Sequence, residues 1–211
     1  MSNVVGRAVN KLNHLFFKTV GKHIGMGSPV SKSTWEQQYS SDVWDYLENP
    51  DEAEHYECIV EFYQKYATSN ASILDIGSGK GVLYSYFKKW QPVSFFGIDI
   101  SENAVKAAAK QFPEAKWETI NYDNEYIGGK YDVVIFNETL YYFTRPVKTI
   151  KKCLDENMKS NGLFIISMCE YEGHDKIWKD LEKVLTVKEE RTITNSKGQT
   201  WVTKALVLKL L

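Results

Sequence analysis

The residues of this chain best suited to chemistry are Asp75, Gly77, Ser78, Gly79 and Gly81, spaced D-x-G-x-G-x-G directly after the apolar pair Ile73-Leu74. A β-type run that ends in an acid and passes into glycines describes a strand feeding a turn that something must approach closely. The spacing separates two nucleotide chemistries. A dinucleotide loop reads G-x-G-x-x-G, its third glycine serving helix packing beneath a pyrophosphate. Here an acid stands two residues before the first glycine, a poor neighbour for phosphate and a good one for a cationic amino-acid group. A second acid, Asp99, closes the run Ser94-Phe-Phe-Gly-Ile-Asp-Ile100. One βαβ unit brings the end of its second strand beside the first loop. The Asp99 carboxylate, with Ile100 beside it, can there accept hydrogen bonds from both hydroxyls of a ribose.

The elements that must position these groups follow from periodicity. A helix is predicted to begin near Val82, and Ser101 is an N-cap for a run of good helix formers to Lys110. Val147 to Met158 is helical in spacing, Lys159-Ser-Asn-Gly162 a turn, and Gly162 to Met168 a buried strand. A helix is expected from about His174 to Leu185. Val187 to Thr194 and Thr200 to Leu208, either side of Asn-Ser-Lys-Gly, read as an antiparallel hairpin.

With these motifs in this order the chain resembles the class I S-adenosylmethionine-dependent methyltransferases over roughly residues 55 to 211. The resemblance implies an α/β fold: a Rossmann-like, seven-stranded, mostly parallel sheet with a C-terminal antiparallel hairpin, here with an N-terminal helical extension. It implies S-adenosyl-L-methionine as cofactor. The loop of Asp75, Gly77, Ser78, Gly79 and Gly81 then holds the methionine part, Asp99 and Ile100 the ribose, and the end of the third strand the adenine. Alignment back from Tyr131-Asp132 places Asn121 at that last position with Tyr122 beside it. Asp123 competes, because the family's usual aspartate is missing at the aligned position. The wording Asn137-Glu-Thr-Leu-Tyr-Tyr142 is closest to members acting on sugars and other small molecules, including the nodulation methyltransferases of chitooligosaccharides.

Methyl transfer from a sulfonium needs alignment of an acceptor lone pair and management of one proton, so few catalytic groups suffice. Ligands bind at the carboxyl edge of open α/β sheets, which directs Asn137, Glu138, Tyr141 and Tyr142 at the reaction. Glu138 is the candidate general base and Tyr141 lines the acceptor. His174, after the fifth strand, is the substitute base, weighed against an ordinary helix-starting histidine at the surface. Trp35, Tyr39, Trp44 and Tyr46 are expected to cover the cofactor or to pack as a lid, ahead of a helix from about Asp51 to Tyr66.

Composition bounds the rest. In 211 residues, 43% hydrophobic, one substantial core fits. The expected organisation is a basic amphipathic helix over 1–30, a helical lid over 31–70 and the cofactor-binding core over 71–211. Cys58, Cys153 and Cys169 form no disulfide pattern, which favours a cytoplasmic protein. His14, His23, His55 and His174 lack metal-ligand spacing, so no metal is expected. Residues 1–35 carry five basic groups (Arg7, Lys11, Lys18, Lys22 and Lys32) and no acid, so the net charge of −1 conceals +5 there against −6 elsewhere. Val5, Val9, Leu12, Phe16 and Val20 recur at helical steps, a stripe suited to docking on the chain's own core, a partner protein or an anionic membrane face over residues 1–24. No basic stripe interleaved with aromatics runs through the core, which disfavours nucleic acid. A small-molecule or saccharide acceptor, lipid-linked if the basic helix touches membrane, is the expected partner. A non-catalytic cofactor-binding subunit and an NAD-dependent oxidoreductase are the alternatives.

Overall fold

The computed structural model describes residues 16–17, 19–90 and 94–209. Apolar runs at the centre of the sheet form strands buried on both faces, as parallel sheets between helices require, while the edge run Lys116–Thr119 is half exposed. The strands are β1 (Ile73–Ile76), β2 (Phe95–Asp99), β3 (Lys116–Thr119), β4 (Tyr131–Asn137), β5 (Met158–Cys169), β6 (Leu185–Thr194) and β7 (Thr200–Leu208). They lie in the order β3-β2-β1-β4-β5-β7-β6. The first five are parallel, and β7 runs antiparallel to both β5 and β6. This is the seven-stranded Rossmann-like sheet with its closing hairpin that the sequence motifs imply.

The helices are α1 (Lys32–Tyr39), α2 (Ala53–Tyr66), α3 (Val82–Phe87), α4 (Glu102–Gln111), α5 (Pro146–Glu156) and α6 (His174–Leu181). Strand side chains alternate between two cores. Ile73, Val133 and Ile135 join Ile59, Phe62 and Phe87 on one face, while Leu74, Val134 and Phe136 join Ile150, Ile177 and Leu181 on the other. The helix α2 buries His55, Tyr56, Ile59, Phe62 and Tyr63, one stripe at three- and four-residue steps.

Several boundaries differ from expectation for identifiable reasons. The turn predicted at Lys159–Gly162 is a bulge within β5. Tyr131 pairs with Met158 and Val133 with Leu163, so β5 spends five residues where β4 spends two. The helix predicted to reach Leu185 ends at Leu181, because Leu185 is claimed by pairing with Leu208. Before α2, Pro50–Glu52 forms a 3-10 turn with the proline at its start. Val5, Val9 and Leu12 of the amphipathic stripe, with Arg7, Lys11, His14 and Lys18, lie outside the described residues. At its described end Phe16 and Val20 face solvent and Phe17 is buried. Among the described residues no helix is long and apolar enough to cross a membrane.

Candidate active site

The carboxyl ends of β1, β2, β4 and β5 meet the segment 29–56 around a cavity of about 350 Å³. That volume is near the lower end for ligand sites. Its floor is the turn after β1. The amides of Gly77 and Ser78 both donate to the Ile98 carbonyl (2.8 and 2.9 Å), and the Gly79 amide donates to Asp99 Oδ2 (2.9 Å). The Ser101 amide holds Asp99 Oδ1 at 2.8 Å, so the acid at the end of β2 is fixed from both sides.

Glycine is required in this turn, though partly by protein neighbours. Gly77 and Gly79 have φ of 79° and 55°, a region costly for other residues. A Cβ on Gly77 would collide with Thr139, and one on Gly79 would lie 2.8 Å from the Tyr39 hydroxyl. Gly81 does not line the cavity: the space beside it is filled by Trp117 and Phe112. The third glycine thus serves packing, a correction to its expected place against the cofactor.

The acids here are held away from their ordinary states. Burial, reinforced by the field of Asp99, raises the Asp75 pKa from 3.8 to about 8, and its Oδ1 has no hydrogen-bond partner. Burial likewise raises Asp99 to about 6 against the backbone amides that stabilise its charge. An unpaired buried acid beside a narrow glycine turn is a complement for a cationic ligand group.

The strand β4 delivers Asn137 and Glu138. Glu138 adopts φ 58°, the left-handed region, which costs a side chain of this kind roughly 1–2 kcal/mol. Its amide donates to the Ser167 carbonyl at 2.9 Å. One carboxylate oxygen accepts from the Tyr141 hydroxyl at 3.0 Å, while Oε1 is buried without a partner. Burial pushes the Glu138 pKa from 4.5 to about 7, partly offset by the Tyr141 hydrogen bond. Asn137 Oδ1 is also buried and unpartnered.

His174 does not line the cavity. Its ring stacks behind Tyr141 at 4.4 Å, with Nδ1 2.6 Å from the Cys169 carbonyl oxygen, and it is buried rather than on the surface. At the other end Ile100, Asn121, Tyr122 and Asp123 all line the cavity. The Tyr122 hydroxyl points inward, bonded to Asn157 Oδ1 at 2.8 Å. Asn121 Oδ1 accepts from the Asp123 amide at 3.2 Å, closing a tight turn.

The cover comes from the segment predicted as aromatic. Trp35, Tyr39, Trp44 and Tyr46 line the cavity, with Trp35 edge-on to Tyr142 at 4.9 Å. The cover is tied down by Glu36, whose carboxylate accepts from the Glu102 amide (2.7 Å), the Asn103 amide (3.1 Å) and the Ser101 hydroxyl (2.9 Å). A residue of α1 thereby caps α4 beside Asp99. Lys80 reaches Asp45 at 2.7 Å as a second tie. Sequence reasoning missed Glu36, because a cap from another segment leaves no local spacing. It also missed Glu52, His55, Tyr56, Gln199 and Trp201, which line the same cavity. The single available signal was a histidine and an acid three apart at the start of an amphipathic helix.

The fold is that of the class I S-adenosylmethionine-dependent methyltransferases. A family profile described as "Methyltransferase domain" matches residues 67–206, and the chain belongs to that family. A ribosomal protein L11 methyltransferase of Dictyoglomus turgidum is 31% identical over 138 residues, 62% of this chain and 45% of the relative. The chain thus spans about half the length of the curated relatives it matches. Among solved structures, the N-methyltransferase NodS of Bradyrhizobium japonicum WM9, in complex with S-adenosyl-L-homocysteine, superposes with a TM-score of 0.70 at 16% identity, covering 85% of this chain and 98% of NodS. The [4+2]-cyclase SpnF superposes with a TM-score of 0.71 at 10% identity, covering 89% of this chain and 100% of SpnF. Fold alone therefore does not fix the reaction.

Proposed function

We propose that the protein transfers a methyl group from S-adenosyl-L-methionine to a nitrogen or oxygen of an acceptor whose reacting end enters the covered cavity. The observation that carries this is the run of acids along the carboxyl edge of the sheet, Asp75, Asp99 and Glu138, each lining the cavity from a different strand end, with burial raising the pKa of all three. Asp75 and the backbone of Gly77 to Gly79 would hold the amino-acid part of the cofactor, and Asp99 with Ile100 the ribose. Asn121, Asp123 and the flank of Tyr122 would hold the adenine. When bound, the cofactor supplies a methyl group made electrophilic by its sulfonium.

The chain's own residues then orient and accept. Glu138, near pKa 7, takes the acceptor's proton on Oε1 while Tyr141 fixes the carboxylate through Oε2. Asn137 Oδ1 offers a further acceptor at the same strand end. His174 holds the Tyr141 ring from behind. Trp35, Trp44 and Tyr142 keep water from the reacting centre.

The small covered volume favours a small molecule or the end of a saccharide. A protein side chain is the second reading, favoured by the relatives named for ribosomal protein L11. The test is calorimetric titration of S-adenosyl-L-methionine, followed by S-adenosyl-L-homocysteine release with amino sugars, small amines, small alcohols and purified L11. Micromolar cofactor binding and release with one acceptor class are expected. Absence of cofactor binding would overturn the reading, and binding without release from any class would leave a cofactor-binding subunit in its place.

A further inference from the structure

One wall of the cavity holds groups that the proposed cofactor contacts do not use. Glu52 and His55 are 2% and 1% exposed and line the cavity. Glu52 Oε2 and His55 Nδ1 stand 4.0 Å apart, beyond hydrogen-bond reach, and neither these atoms nor His55 Nε2 has a partner. Glu52 Oε1 is engaged, accepting from Asn195 Nδ2 at 3.4 Å. Each buried polar atom left unpaired costs on the order of 1–3 kcal/mol, and such groups persist where a ligand completes them.

Trp201, the second residue of β7, and the segment leading into α2 build this wall. The His55 ring stacks on Trp201 at 4.6 Å and meets the Tyr56 ring, tilted, at 4.0 Å. Glu138 lines the same cavity as Glu52, His55, Tyr56 and Trp201.

Glu52 Oε2 and Glu138 Oε1 offer lone pairs, as does one nitrogen of His55, while its other nitrogen and Trp44 Nε1 are N–H donors without partners. Burial lowers the His55 pKa to about 4, so the ring is neutral and one nitrogen presents a lone pair. Among the described lining residues Lys80 is the one cation, and Asp45 already pairs with it, so an anionic acceptor would find no counter-charge. A hydroxyl has one hydrogen to give. An ammonium has three, and aromatic faces attract it further.

We propose that the methyl acceptor is an amine that enters as its ammonium among Glu52, His55 and Glu138 against the rings of Tyr56 and Trp201, gives one proton to the Glu138 carboxylate, and takes the methyl on the lone pair so freed, the new C–N bond replacing the C–S bond as S-adenosyl-L-homocysteine leaves. This rests on the methyl-transfer reading and narrows it to nitrogen. The amine can belong to a free small molecule or to a lysine side chain, since both present the same end.

The test is calorimetric titration of benzylamine, benzyl alcohol and Nα-acetyl-lysine methyl ester into the full chain, with and without saturating S-adenosyl-L-homocysteine. The amines are expected to bind at least tenfold more tightly than the alcohol, and Glu52→Gln to abolish that preference without moving S-adenosyl-L-homocysteine affinity. A preference for benzylamine points to a free amine, and one for the lysine ester to a protein side chain. Equal binding of amine and alcohol, no measurable amine binding, or an unchanged preference in Glu52→Gln would overturn the proposal. The wild-type comparison decides by itself if the variant does not fold. Absence of S-adenosyl-L-homocysteine binding would sink the methyl-transfer reading instead, and the nucleoside-free titrations still judge the amine site.

Discussion

Replacing Asp75 with Asn should make the cofactor-free protein more stable and a worse binder at once. Asp75 is 1% exposed, and its pKa stands at about 8 against the ordinary 3.8. A carboxyl raised in this way keeps, in the folded state, a proton that the unfolded chain has released. The penalty is absent below pH 3.8, grows as pH rises, and levels off above the folded value of about 8. At pH 7, at about 1.4 kcal/mol per pH step above the unfolded pKa, it amounts to about 4 kcal/mol. An unpaired buried amide returns roughly 1–2 kcal/mol of that cost, leaving a net gain of about 2–3 kcal/mol. For a chain of this size the melting temperature should rise by roughly 5–10 °C at pH 7. Thermal melts of both proteins between pH 4 and pH 8.5 measure the gain, which should widen with pH. Calorimetry with S-adenosyl-L-methionine should meanwhile show at least tenfold weaker binding. It should also show loss of the proton release that accompanies ionisation of Asp75 by a bound cation. A variant that melts no higher than wild type, by a margin independent of pH, would refute the reasoning.

Other outcomes follow from the same geometry. Glu138→Gln should leave cofactor affinity near wild type and lower turnover by about a hundredfold or more. Wild-type turnover should rise as pH passes about 7, where the Glu138 carboxyl becomes a base, and the variant should lack that rise in steady-state rates. Asp99→Ala should weaken cofactor binding by calorimetry while circular dichroism stays native, since its expected partners are ribose hydroxyls; unchanged affinity would reject the assignment. Glu36→Ala removes a cap shared by two backbone amides and a hydroxyl, which should cost about 1–2 kcal/mol. Hydrogen exchange should quicken across 32–39 and the first turn of α4 and stay unchanged in β4 and β5.

The strands and the donor end of the site were legible because their signals are local. Ile73 to Gly81 carries a strand, an acid and a turn within nine residues, and parallel burial leaves apolar runs that periodicity reads directly. Ser101 was legible as an N-cap for the same reason, and its hydroxyl does accept the Ala104 amide at 3.2 Å. Errors arose where pairing overrode local preference. Lys159 to Gly162 looks like a turn and becomes a bulge because β4 draws both flanks into one strand.

By itself, then, the sequence determined the fold class, the family and the order of acids along the sheet edge, since each is written in contiguous residues. Only the tertiary structure decided which side chains share the cavity. Gly81 left it because Trp117 and Phe112 occupy the space at its back, and His174 left it because Tyr141 stands in front. Glu52 and His55 entered it because α2 and the 3-10 turn leading into it pack against the sheet, α2 on β5 and β7, with that stripe inward. The reason is physical: unpaired polarity and shifted acidity come from burial among groups distant in sequence, and no spacing along the chain records which groups those will be.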